Sequence, residues 1–513
     1  MNTPTRPNLL LIMTDQQRGD CLRCDGNEVI ETPYFDELAS QGTRFTSAYT
    51  ACPSCIPARA TLMTGMNQWH TGVLGMGRSR SNMTQNYAHT LPGELAAAGY
   101  HTQGIGKMHF NPQRALYGFH NTLLDESSRA QDPKFVSDYR RWFEEHKDGP
   151  YGYRDHSTDW NSWMSRPSHL PEHLHPTWWT AQQAIEWLDR RDPEKPFFLK
   201  VSFARPHSPY DPPQAYYDMY RDREMPRARM GNWSHIHDIQ CDDTNAWRSH
   251  RTEAEIQRAR ACYYGNVTFI DHQVGRLLYE LRHRYPEEHR NTFIIFTSDH
   301  GDMLGDHHLW RKTYAYDGSA RIPMIVRPPL CWDAPRGQVR DEVVELRDVM
   351  PTFLAAAGVE APETVDGQSM MPLAQGTPST AARAASPAGA GEAACPTGAE
   401  DVVAWRSHLV GEHDWCYSHE QANYYVTDGR WKYIWFPYLG TEQLFDRGED
   451  PGEEQDLVTA GQGGDELAKW RQVMVEELAA RDCGLVEDGK LVKLSLDYAV
   501  RSPNLYTYGC KSS

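Results

Sequence analysis

Two short apolar runs, far apart in the chain, each break off at a carboxylate, and this feature limits the fold most. Asn8-Leu9-Leu10-Leu11-Ile12-Met13-Thr14 ends in Asp15-Gln16. Thr292-Phe293-Ile294-Ile295-Phe296-Thr297-Ser298 ends in Asp299-His300-Gly301-Asp302. Short runs this apolar, without polar alternation, read as strands buried on both faces. Such strands belong to parallel sheets in α/β proteins, which collect ligands at the carboxyl ends of their strands. Asp15 or Asp299 alone would read as a turn cap. Delivered together, and taken with the motif that begins at Cys55, they read as an oxygen-rich site for a hard cation, Ca²⁺ or Mg²⁺.

The chain up to about residue 375 continues this α/β alternation. Helices are expected over 32–41, 91–98 (closed by Gly99), 178–188, 254–282 and 349–357 (closed by Gly358). Strands are expected over 44–49, over 101–106, where Lys107 and His109 follow, and over 196–203, where His207 follows. Residues 376–400 are rich in Ala, Gly, Pro, Ser and Thr and poor in large apolar side chains. That composition predicts a flexible linker or surface insertion. Residues 401–513 form a smaller α+β unit. Strands are expected at Trp405, Tyr424-Tyr425-Val426 and Trp431 to Phe436, with Asp428-Gly429 as a hairpin signal, then a helix over 464–480. The domain division is therefore 1–375, 376–400 and 401–513.

Cys55-Ile56-Pro57-Ala58-Arg59-Ala60-Thr61-Leu62-Met63-Thr64-Gly65 adds the chemistry. Pro57 suits the first turn of a helix, where a missing N–H costs nothing. Cys55 then stands at a helix N-terminus, which favours anions, with Arg59 one turn along. The Cys-x-Pro-x-Arg pattern resembles the signature of the type I, formylglycine-dependent sulfatases. Cys52 does not fit it, because Ser54 stands where Pro is required. The likeness spans nearly the whole chain. It includes Gly106-Lys107-Met108-His109, Pro206-His207-Ser208-Pro209-Tyr210, Asp299-His300-Gly301-Asp302, Trp310-Arg311-Lys312 and Leu444-Phe445-Asp446.

The resemblance implies an alkaline-phosphatase-like fold. A large, mixed, mostly parallel sheet would lie between helices, beside a small C-terminal antiparallel sheet with a packed helix. It also implies that a maturing (formylglycine-generating) enzyme converts Cys55 to an aldehyde. The hydrated aldehyde attacks sulfur through one hydroxyl and expels sulfate through the other. By resemblance, Asp15, Gln16, Cys55, Asp299 and His300 hold a divalent cation, Ca²⁺ before Mg²⁺. Arg59 holds the diol or cation-bound oxygens, and Lys107 binds a sulfate oxygen. His109 is the base of the elimination step. His207 and Lys312 contact sulfate and assist the leaving oxygen. Relatives often carry Asp at Gln16 and Asn at His300, so these two could instead support ligands from behind. Lys107 and His109 lie two apart, and in an extended segment they face the same side. His307 and His308 are weaker candidates for substrate contact, and Asp302 and Asp306 read as loop caps or as supports behind the ligands.

A formal charge of −17 and a pI near 5.7 argue against nucleic acid or an anionic membrane as partner. Positive charge must therefore be concentrated in the pocket. No secretory signal or membrane span is visible, and eleven cysteines in no regular framework suit a cytoplasmic protein. Cys21/Cys24 with Cys52/Cys55 could instead form a zinc site, but the gap between the pairs is long and Pro53 interrupts the second pair. The expected substrate is a small-molecule or oligosaccharide sulfate ester, carbohydrate or aryl/steroid. A phosphonate or phosphate monoester hydrolase is the alternative, against which Lys107 and His109 speak. A sulfated-glycan binder without activity is a further one.

Overall fold

Both apolar runs are strands of one sheet and lie side by side in it. In this computed structural model, which describes residues 6–76, 87–127, 129–130, 132–381, 402–499 and 501–504, the sheet has eight strands. They are β1 (Asn8–Asp15), β2 (Thr43–Phe45), β3 (His101–Gly106), β4 (Asn121–Leu124), β5 (Phe197–Pro206), β6 (Thr292–Ser298), β7 (Met324–Arg327) and β8 (Gln338–Arg340). Their order is β4-β3-β5-β1-β6-β7-β2-β8. Neighbours pair in parallel except where β7 meets β6 and β2, so only β7 runs against the rest. The sheet is mixed and mostly parallel, as expected. Four adjacent strands, β3, β5, β1 and β6, therefore open at the same edge.

Alternation along β1 sorts its side chains onto two cores. Leu9, Leu11 and Met13 face one core, built with Ile56 and Leu62 of α1 (Cys55–Thr64). Leu10 and Ile12 face the other, with Ile185 and Leu188 of α2 (Pro176–Arg190) and Ile270, Val274 and Leu277 of α3 (Glu253–Arg284). All five β1 side chains are at most 1 % exposed, each worth about 1.5–3 kcal/mol of burial. This explains the lack of polar alternation in the run. Val349 and Phe353 of α4 (Val349–Ala356) complete the first core.

The C-terminal unit is a four-stranded antiparallel sheet: β9 (Leu409–His413), β10 (Asn423–Thr427), β11 (Trp431–Phe436) and β12 (Thr441–Asp446), in sequence order. Asp428-Gly429 does turn the β10–β11 hairpin. Gly429 has φ +95°, and Asp428 Oδ1 accepts from the N–H groups of Arg430 and Trp431. Helix α5 (Gly464–Ala479) packs Trp470, Met474 and Leu478 onto Val426, Tyr433 and Leu444.

Three expectations need correction. The strand expected over 44–49 divides: its first half joins the main sheet, while Ala48–Tyr49 pairs with Val344–Glu345. Trp405 is not in a strand; it seals the first core and donates Nε1–H to Val343 O. The expected linker begins later than Gly376, because Ser379 is fully buried, bonds Glu342 and bridges Val403. Residues 382–401 lie outside the described residues.

Candidate active site

The parallel register places the two carboxylates together. Every β1–β6 pair has the same offset, from Asn8 opposite Thr292 to Thr14 opposite Ser298, so Asp15 and Asp299 leave the sheet level with each other. The turn after β1 is strained, with Gln16 at φ 71°. It is held there: Gln16 N–H donates to Asp299 Oδ1 at 3.0 Å, and its carbonyl accepts from the Tyr263 hydroxyl.

Cys55 opens α1, whose ten residues are all buried. Ser54 stands at the N-cap but does not cap the helix; its Oγ meets His413 Nε2 at 2.7 Å. The first turn is left without a side-chain cap, a setting suited to an anion. Cys55 Sγ lies 3.2 Å from Lys312 Nζ, 3.3 Å from His300 Nε2 and 4.0 Å from Asp15 Oδ1. Burial and Asp15 push the thiol up. Lys312, Lys107 and His300 pull it down further, to about 7.

Asp15, Cys55, Asp299 and His300 each offer one ligand atom, and these atoms lie within 4.8 Å of one another. The donor chemistry fits a divalent cation. Each carboxylate divides its oxygens between two tasks. The Oδ1 atoms lie 3.9 Å (Asp15) and 3.6 Å (Asp299) from His300 Nε2. The Oδ2 atoms point away and are tied by basic side chains. His300 Nδ1 donates to Gly301 O at 2.8 Å, which aims Nε2 into the cluster. Burial disfavours a charged His300 ring, but Asp299 outweighs it and the ring's pKa ends above its ordinary value. A cation at Nε2 would displace that proton.

Arg59 is fully buried, and its contacts engage every guanidinium nitrogen. Nη2 is 3.0 Å from Asp15 Oδ2 and from Asp299 Oδ2, Nε donates to Asp299 Oδ2, and Nη1 donates to Ser202 Oγ and Lys107 O. None reaches Cys55. Of the two contacts expected of Arg59, the diol or the cation-bound oxygens, the structure shows it as a clamp behind the two carboxylates. Lys107 Nζ lies 2.7 Å from Asp15 Oδ2. Burial alone would raise the Asp15 carboxyl. Lys107, His207, Arg59 and Lys312 overcome it and hold the group well below the usual carboxylate range.

The segment after β3 is not extended. Gly106 has φ +93°, where a Cβ would lie 2.0 Å from Ser202 O, and His109 has φ 65°. Lys107 and His109 are brought together by this kink rather than by alternation. Glu126 holds the kink, its Oε1 accepting from Met108 N–H at 3.0 Å and His109 N–H at 2.9 Å. Both His109 ring nitrogens are buried without a protein partner. Burial, Arg129, Lys107 and Arg59 press its pKa well below the ordinary value, so the ring is neutral. His207 is also neutral, through burial, Lys312 and Lys107. Its Nδ1 donates to Ser208 O at 2.8 Å, leaving Nε2 as the acceptor.

Gln16 is gripped at both ends of its amide. Oε1 accepts from Lys312 Nζ at 2.8 Å, and Nε2 donates to Asp302. Asp302 also accepts from the Tyr210 hydroxyl and from the N–H groups of Leu304 and Arg311. The C-terminal sheet reaches the same place. Glu412 N–H donates to Ala51 O, Asn423 Nδ2 to Thr313 O, and Thr313 N–H to Pro53 O. Asp306 is bound by Arg18 and Arg260, and His307 packs against Trp233 with its ring tilted by 33°, so neither is directed at Cys55. Sequence reasoning missed Glu126, Ser202, Tyr210, Tyr263 and His413. Only Tyr210 had a local signal, inside the Pro-His-Ser-Pro-Tyr motif.

Among the described residues, no cluster of metal-capable side chains includes Cys21, Cys24 or Cys52. No described helix is long and apolar enough to cross a membrane.

Comparison with known proteins bears on the family. The family model for sulfatases matches residues 7–359. An arylsulfatase of Clostridium perfringens (strain 13 / Type A) is 41% identical over 501 residues, covering 95% of this chain and 98% of that protein. A choline-sulfatase of Rhizobium meliloti (strain 1021) is 30% identical over 476 residues, covering 90% and 84%. The crystal structure of the phosphonate monoester hydrolase of Agrobacterium radiobacter superposes with a TM-score of 0.72 at 25% identity, covering 93% of this chain and 95% of that one.

Proposed function

The chain belongs to the sulfatase family, and we propose that it cleaves a sulfate monoester, aryl sulfates first among them, through an aldehyde made from Cys55. It is a sulfuric ester hydrolase of the alkaline-phosphatase-like fold. The observation that carries the finer reading is the convergence on Cys55 Sγ of Lys312, His300 and Asp15 at a helix N-terminus. In the matured protein the oxygens of residue 55 would stand where this thiol lies.

A divalent cation held by Asp15, Asp299, His300 and residue 55 would offset the charge on the sulfate oxygens; Ca²⁺ is our first choice and Mg²⁺ the second. The aldehyde, as its hydrate, would supply one hydroxyl to attack sulfur and a second to release sulfate. The remaining work falls to the chain's side chains. Lys107 and Lys312 bring two ammonium groups to the anion. Lys312 is also the proton donor to the leaving alcohol, because a neutral His207 that donates Nδ1–H to Ser208 has no proton left at Nε2. His109, neutral and without a ring partner, accepts the proton that accompanies sulfate release. Gln16 orients Lys312, and Arg59 turns the inner carboxylate oxygens toward the cluster. Cys55 is 2 % exposed, so a maturing enzyme must reach it before the fold closes.

The test is mass spectrometry of the peptide containing residue 55, with rates on nitrophenyl sulfate, sugar sulfates and phosphonate monoesters. We expect an aldehyde mass and a preference for sulfate esters. The alternative, a phosphonate monoester hydrolase, is supported by the Agrobacterium radiobacter likeness. A higher rate on phosphonates would establish it.

A further inference from the structure

Away from the strand ends, a second set of metal-capable side chains meets at the surface. One ligand atom each from Asp238, His250 and His308 lies within 4.8 Å of the others. His250 Nδ1 is 3.0 Å from Asp238 Oδ1, and His308 Nε2 is 4.0 Å from Asp238 Oδ2. The two imidazoles are nearly parallel, at 25°, with centroids 5.8 Å apart. The Asp238 and His250 side chains are each 45% exposed, and that of His308 is 15% exposed. A solvated ion can therefore reach all three.

The backbone prepares this meeting. The segment carrying Asp238 and His250 is tied to the turn carrying His308 by Ser249 N–H to His308 O at 2.9 Å and Trp310 N–H to Trp247 O at 2.9 Å. It is tied to itself by His250 N–H to Ile239 O at 2.7 Å. His307 and His308 both sit in the left-handed region, at φ 56° and 62°. Each such residue costs about 1 kcal/mol or more. Hydrogen bonds from His307 N–H to Arg229 O at 2.7 Å and from Gly305 N–H to Leu309 O at 2.9 Å hold this turn in place.

We propose that Asp238, His250 and His308 form a second metal site, for a borderline divalent ion such as Zn²⁺. The site clamps the 235–250 segment onto the 306–309 turn. Two imidazoles and one carboxylate select zinc, nickel or cobalt over calcium. A tetrahedral zinc with bonds of about 2.0–2.1 Å sets its ligand atoms about 3.3 Å apart. Rotation of the Asp238 and His250 side chains, each 45% exposed, would bring the ligand atoms to that spacing around a less mobile His308. The proton that His250 Nδ1 donates to Asp238 moves to Nε2 or to solvent, and the metal takes its place. Water fills the remaining position. Arg311 and Lys312 follow this turn directly, so the clamp would stiffen the wall that carries them.

The test uses the full chain in excess Ca²⁺, and any zinc that enters the Asp15–Asp299 cluster is told apart from the surface site by its position in the anomalous map and by its persistence in variants that lack the surface ligands. Zn²⁺ is titrated by calorimetry, and zinc-edge anomalous diffraction locates the ion. We expect one Zn²⁺ per chain at Asp238, His250 and His308, and a rise in Tm on adding zinc. Loss of one ligand in His308→Ala should weaken binding about tenfold or more, at least as much as loss of a supporting partner does. His250→Ala/His308→Ala should abolish both the binding and the Tm rise while melting like the parent without zinc. Asp238→Asn is the second variant should that one fold poorly. The proposal is overturned if the anomalous peak is absent from these residues, or if the double variant or Asp238→Asn binds zinc as the parent does.

Discussion

Arg59→Lys tests whether the guanidinium acts as a clamp behind the carboxylates. Arg59 is fully buried and reaches Asp15 Oδ2 and Asp299 Oδ2 at 3.0 Å, Ser202 Oγ at 2.9 Å and the Lys107 carbonyl. Lysine keeps the charge but offers a single nitrogen on a different stem, which cannot span two carboxylates and two further acceptors. At least two charge-assisted hydrogen bonds are lost, at about 1.5–3 kcal/mol each. The expected loss of stability is about 3 kcal/mol or more, within the range for breaking a buried ion pair. The inner Oδ1 atoms then lose their aim. Loss of a side chain that orients metal ligands costs about 10–100-fold in metal affinity, so the Ca²⁺ concentration for half-maximal activity should rise by that factor. Denaturant melts and Ca²⁺-dependent hydrolysis of nitrophenyl sulfate read the two effects separately. An Arg59→Lys protein with parental stability and Ca²⁺ dependence would refute the clamp and return Arg59 to direct contact with the reacting group.

Glu126→Ala strands the N–H groups of Met108 and His109. It should cost about 3 kcal/mol and lower kcat more than it raises KM, whereas Glu126→Gln, which keeps an acceptor oxygen, should recover most of both; parental kcat in the alanine variant would count against the positioning role. Lys312→Met should slow alkyl sulfates by about a hundredfold or more, the usual worth of a general acid, and nitrophenyl sulfate much less, because that leaving group needs little protonation; equal losses on both would rule out Lys312 as the proton donor. Stability should also fall as pH drops from about 6.5 toward 4. Burial, against the pull of Asp306, holds His307 at about 4, and burial likewise brings His413 to about 4. Their folded pKa values lie below the unfolded one, so both rings are neutral in both states above 6.5. Below it only the unfolded chain takes up the protons, costing up to about 1.4 kcal/mol per pH unit for each ring. Unchanged denaturation midpoints at pH 7 and pH 5 would contradict this.

The parts of the site legible in the sequence are those that a strand delivers at its own end. Asp15, His207 and Asp299 each follow a largely apolar strand and Lys107 follows a short strand ended by Gly106, and a parallel sheet brings such ends to one edge. Cys55 and Arg59 were legible for a second local reason, since a Pro-started helix sets their spacing. What stayed hidden depends on which strands are neighbours. Glu126 matters because β4 lies beside β3, and Ser202 because its strand lies between the strands of Gly106 and Met13. Neither follows from any local pattern. The kink at Gly106 and His109 was hidden as well, because a two-residue spacing fits both an extended segment and a left-handed turn.

The C-terminal sheet shows the same limit on a larger scale. Its strands were legible from their aromatic runs and from Asp428-Gly429, yet nothing local says that it helps to build the site. In the structure, β9 receives Ser54 on His413 and binds Ala51, while the start of β10 holds Thr313. These two grips fix the segment before Cys55 and the residue after Lys312, which meet 3.2 Å apart. The separation of Cys55 and Lys312, the proposed nucleophile precursor and proton donor, is thus set by a unit that contributes neither of them. Truncating the chain before residue 401 would therefore remove the site's geometry even if the large sheet still folded.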